Sequence, residues 1–69
     1  MSGTIQREWA NANVDRVMAA AEADDYEGFC VGCGAEQSGV EPDARNFHCE
    51  VCDRPLVFGA EELMFYIEM

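Results

Sequence analysis

The chain has no lysine. Its four bases are all arginines (Arg7, Arg16, Arg45 and Arg54), set against 14 acids. A formal charge of −10 on 69 residues argues against plain nucleic-acid binding, because a polyanion is repelled by such a surface. An apolar run of about 18 residues is also missing, so no membrane-spanning helix is expected. The first ten residues are polar and mixed, which is not the pattern of a secretory leader, and the expectation is a cytoplasmic protein. There is one histidine and no glycine-rich phosphate loop, so catalysis has few parts to work with and no enzyme is expected. The chain is short as well. It is read as one domain, residues 1–69, and below roughly 70–80 residues a core alone rarely holds a fold without a staple.

The staple is in the cysteines. Cys30-Val31-Gly32-Cys33 and Cys49-Glu50-Val51-Cys52 are separated by fifteen residues, giving C-x2-C-x15-C-x2-C. That spacing suits a structural zinc site. Each C-x-x-C makes a tight turn with two thiolates on one side and backbone N–H groups aimed at the sulfurs, and the loop between them returns the second pair. Cys30, Cys33, Cys49 and Cys52 are therefore the expected ligands, and Zn²⁺ the expected cofactor. Iron remains open, since a tetrahedron of four sulfurs suits both metals. Disulfides lack the support of an oxidising compartment. A redox C-x-x-C needs a helix after the motif, whereas Gly34 follows Cys33, and the acids Glu27, Glu50 and Asp53 near the thiols disfavour a reactive thiolate. His48 neighbours Cys49 on an expected strand, so it should point to the opposite face and not join the ligands.

The flanks read as helices. Val14, Val17, Met18 and Ala21 recur at helical spacing, with Asn13 as N-cap and Asp15 in the first turn. Ile5 and Trp9 form a second stripe, nearly opposite the first on a continuous helix, so either the helical segment 4–25 bends near Asn11 to Asn13 or Trp9 packs somewhere else. Residues 28–58 form the metal module, with Gln37 to Asp43 as loop. Phe47-His48-Cys49 should pair with Leu56-Val57-Phe58 as an antiparallel hairpin. Gly34 and Asp53 occupy matching places after the knuckles, where a left-handed backbone is needed. Gly59, Glu61 and Glu62 suit the start of a C-terminal helix over 60–68. Within it, Leu63, Met64, Phe65, Tyr66 and Ile67 form an apolar run that one helix face cannot bury whole. These five are the candidate surface for a partner or a second copy. The acid pairs Asp24/Asp25 and Glu61/Glu62 read as solvated, and Trp9, Phe47, Phe58, Phe65 and Tyr66 as core.

The two C-x-x-C units resemble a zinc ribbon with rubredoxin-like knuckles, over residues 28–58. The departures are the absence of proline within either knuckle and Asp53 where a glycine is usual. The N-terminal helix and the tail Val57-Phe58-Gly59-Ala60-Glu61-Glu62-Leu63 also resemble small zinc-ribbon proteins of phages and bacteria. The resemblance implies the same four ligands and does not imply an enzyme. The expected fold is a small α+β domain, a zinc ribbon of two knuckles and a hairpin flanked by helices. Its expected role is a structural module that binds another protein. One alternative is an acidic inhibitor whose carboxylates mimic DNA phosphates; another is an iron electron carrier. Four thiolates and a Zn²⁺ would deepen the charge to −12, which favours a basic or apolar protein surface as the partner.

Overall fold

A computed structural model describes residues 4–23 and 26–67, and no helix among them is long and apolar enough to cross a membrane. Two helices come first, α1 (Thr4–Ala12) and α2 (Val14–Ala23). They break at Asn13, within the stretch where a bend is one of the two expected outcomes. The Asn13 backbone N–H bonds Ala10 O, and its side-chain amide donates to the Trp9 carbonyl at 2.9 Å. Asn13 thus closes the end of α1 with its side chain, while its own carbonyl accepts the Val17 N–H that begins α2. On α2 the buried residues are Val17 and Ala20, with Val14, Met18 and Ala21 half-buried. On α1 the stripe is displaced from the one expected. Ala10 is buried and Trp9 half-buried, but Ile5 remains 44% exposed.

Three short strands follow: β1 (Glu27–Cys30), β2 (Glu36–Ser38) and β3 (Val57–Gly59). They form an antiparallel sheet in the order β2-β1-β3, with Phe29 opposite Glu36 on one side and Phe58 on the other. This corrects the sequence reading in two places. Gln37 and Ser38 belong to a strand and not to a loop. The hairpin expected between 47–49 and 56–58 is reduced to a single bridge, Phe47 to Val57, while the main partner of β3 is β1. The reason lies in the second knuckle, which turns the backbone away after Phe47 by bonding the Cys49 N–H to Arg54 O at 2.9 Å.

Because successive strand residues face opposite sides, the sheet divides the interior in two. Phe29 and Phe58 point to a helical layer with Ala10, Val17, Ala20, Leu63 and Ile67. Cys30 and Val57, next to them in the chain, point the other way and join Val40 and Cys49. Between the helices and the first knuckle sits Arg16. Its guanidinium lies 5.5 Å from the Trp9 ring centre and 5.1 Å from that of Phe29, and donates to Gly34 O at 3.2 Å.

The last helix, α3 (Ala60–Met64), is shorter than the 60–68 expected. After Met64 the chain tightens into bonds three residues long, Tyr66 N–H to Leu63 O and Ile67 N–H to Met64 O, and Glu68 falls outside the described residues. Gly59 precedes α3 where the loop 41–44 crosses: a Cβ on Gly59 would run into the carbonyls of Glu41 and Pro42. Glu62 is not a solvated acid. It is buried, its carboxylate accepts from Arg45 Nε at 3.2 Å, and its N–H bonds Pro42 O. Its partner Glu61 is exposed, and Asp24 and Asp25 lie outside the described residues. Of the aromatics read as core, Phe58 is buried and Trp9 and Tyr66 are half-buried, but Phe47 is 42% and Phe65 82% exposed.

Candidate metal centre

The four cysteines come together from two turns, one leaving β1 and one leading toward β3. The two turns repeat the same bonding. In the first, the Cys30 N–H bonds Ala35 O and the Gly34 N–H bonds Cys30 O at 2.7 Å. In the second, the Cys49 N–H bonds Arg54 O and the Asp53 N–H bonds Cys49 O at 2.9 Å. Closing each turn this way requires a left-handed residue after the second cysteine, and φ is 82° at Gly34 and 65° at Asp53. The glycine and the aspartate are the residue types that bear this conformation at least cost.

In both turns backbone N–H groups are aimed at sulfur. Cys33 N–H donates to Cys30 Sγ at 3.3 Å, and the N–H groups of Val51 and Cys52 donate to Cys49 Sγ at 3.4 Å. These are the donors that stabilise thiolates in a four-sulfur cage. The sulfurs all lie within 4.8 Å of one another, with Cys30 to Cys52 at 3.6 Å and Cys33 to Cys49 at 3.7 Å. A regular tetrahedron of sulfurs about 2.3 Å from a central ion has edges of about 3.8 Å, so the spacing fits a four-coordinate metal. These two short approaches each join one knuckle to the other, so both pairs share one centre. All four thiols are free of disulfides. Cys30 and Cys49 are buried, Cys52 is half-buried and Cys33 opens to solvent.

The charges around the cage are uneven. Arg54 Nε donates to Cys52 Sγ at 3.4 Å, and this bond, chief among the causes, holds the Cys52 thiol down at about 6. The Cys49 thiol is lowered first by the N–H of Cys52, then by that of Val51. At Cys33 the N–H of Ala35 pulls the thiol down, but desolvation and the sulfurs of Cys30, Cys49 and Cys52 together push it up to about 11. Without a cation, four sulfurs this close cannot all carry charge; a dication removes that conflict.

Two groups that hold the second knuckle were not singled out from the sequence. One is Arg54. The other is Gln37, a buried side chain on β2 whose amide lies along the chain at 48–50. Its Nε2 donates to His48 O and its Oε1 accepts the Glu50 N–H, both at 3.1 Å. A glutamine in a polar stretch gives no signal of this, because the partner backbone is eleven residues away and the pairing depends on the sheet register. His48 stays out of the sulfur cluster. It is exposed, and its Nε2 lies 2.9 Å from Asp53 Oδ1.

In the C-terminal run the structure separates residues that the sequence left together. Leu63 and Ile67, four apart, are buried in the helical layer. They are therefore core and not partner surface. Met64 and Tyr66 are half-buried, and Phe65 is outward. No family model matches the chain, and neither a curated protein nor a solved structure matches it. What stands is a small α+β fold, three helices and a three-stranded antiparallel sheet among the described residues, with four cysteines at metal-binding distance.

Proposed function

We propose that the chain is a structural zinc module of the ribbon type, which uses the metal to build a rigid surface for another protein. The observation that carries this is the pair of matched knuckles whose sulfurs stand at tetrahedral spacing. Zinc is preferred over iron because a closed four-cysteine cage is a common structural zinc site, and zinc there contributes folding energy directly. A structural role is supported by where the sulfurs lie. Cys30 and Cys49 share a small core with Val40 and Val57, so the metal ligands are also packing residues. The histidine and its aspartate partner lie on the surface.

Metal analysis and an absorption spectrum test the metal. Protein produced in medium containing both zinc and iron should carry one zinc and be colourless. Sulfur-to-iron charge-transfer bands from one bound iron would replace this reading with the electron carrier.

A further inference from the structure

The apolar run 63–67 leaves one residue, Phe65, that the core does not take up, and it lies beside an open groove. The groove runs between α2 and α3 and holds about 490 Å³. Met18, Ala21 and Glu22 line it from α2, and Glu61, Met64 and Phe65 from α3 and the residue that ends it. Phe65, at 82% exposure, is the most exposed large apolar side chain among the described residues, although Leu63 and Ile67 beside it are buried.

Charge decides what fits. The groove lining holds two carboxylates and no base. Nor are three of the chain's four arginines free to soften its acidity. Arg16 lies on Trp9 and Phe29, Arg45 on Glu62, and Arg54 on Cys52. A second copy docked face to face would set Glu22 and Glu61 against the same acids on its twin, inside a chain that already carries −10. Like charges so placed cost affinity, whereas opposite ones steer and orient.

We propose that this groove docks a helical segment of another protein, with an apolar stripe that packs between Met18 and Phe65 and lysine or arginine residues that meet Glu22 and Glu61. An amphipathic helix laid in an apolar groove is a recurrent recognition mode, and flexible methionines on both walls let the surface adapt to it. The inference rests on the interaction-module reading above, and gives it a face and a partner chemistry.

The test uses the full zinc-loaded chain, labelled with ¹⁵N, and a synthetic peptide of about 14 residues with leucine at helical spacing and lysine elsewhere. A matched peptide with glutamate for lysine is the control. The lysine peptide should bind saturably, moving the amide signals of Met18, Glu22, Glu61 and Phe65, and the glutamate peptide should not bind. Phe65→Ser should weaken binding about tenfold or more, as loss of an aromatic anchor does. It should keep its zinc and its spectrum, because the side chain lies outside the core. A joint Glu22→Gln and Glu61→Gln variant should weaken binding and flatten its dependence on salt. Signals that move instead at Val51 and Phe47 would overturn the groove and leave the interaction-module reading standing. Equal binding of both peptides, or no saturation, would overturn the basic partner. A Phe65-dependent dimer in sedimentation would replace it with a second copy. Loss of zinc binding in the parent chain would fail the module reading itself.

Discussion

Arg54 shows how a single side chain can tune the cage without being a ligand. Its Nε bond to Cys52 Sγ favours the thiolate, the form a metal binds. Protons compete with the metal for sulfur, so a thiol held near 6 releases its metal only at correspondingly lower pH. Arg54→Ala lets the Cys52 thiol rise toward its ordinary value of 9.0, and acid release should then begin at higher pH. A chromogenic chelator in an acid titration should report this upward shift, with affinity at neutral pH reduced by about tenfold, as loss of a ligand's hydrogen-bond partner commonly does. An unchanged release curve would make Arg54 a bystander. Gln37 acts at the same scale by other means. Gln37→Ala leaves the His48 carbonyl and the Glu50 N–H without their 3.1 Å partners at a part-buried site. The expected loss is about 1–3 kcal/mol in chemical denaturation, with zinc stoichiometry intact.

The elements show which parts of the fold local pattern can specify. Four cysteines at knuckle spacing mark the site in the sequence itself. So do Gly34 and Asp53, each placed where a left-handed residue is needed, because the causes lie within five residues of each other. The helix break at Asn13 is legible only in part: the offset of Ile5 and Trp9 from the Val14/Val17 face leaves a bend as one of two outcomes, and in the fold Ala10 is buried while Ile5 stays exposed. Strand pairing is different. Glu27 to Cys30 carries no clear alternation, yet β1 is the centre of the sheet, because Phe29 and Cys30 each find a separate core across a plane that only the tertiary fold creates. The run 63–67 is ambiguous in sequence because all five residues are apolar or aromatic; packing selects Leu63 and Ile67. Leu63→Ala should therefore cost about 2–5 kcal/mol, whereas Phe65→Ala should change stability little. Thermal unfolding of the two zinc-loaded variants side by side distinguishes them, and equal losses would mean that Phe65 is held more firmly than its exposure indicates.

At the scale of the whole molecule, the question is whether the helical layer can stand when the cage is opened. A core of this size supplies roughly 3–5 kcal/mol, against about 10–16 kcal/mol for structural zinc in small peptides. The two layers also share parts. Phe29 and Cys30 are neighbours on β1, and Arg16 links the Trp9 ring to the carbonyl of Gly34 at the end of the first knuckle. Opening the knuckle thus removes a strand anchor and an arginine contact from the helical side together. Chelation, or Cys49→Ser, should abolish the near-ultraviolet dichroism. It should also shift the emission of Trp9, the chain's only tryptophan, to longer wavelength in the same transition. Trp9 reports from the helical side of the sheet, so its response measures coupling between the layers and not merely loss of the metal. If chelation removes the metal while the Trp9 spectrum stays as it was, the helices and sheet form a self-sufficient core, and the cage is an attachment to it.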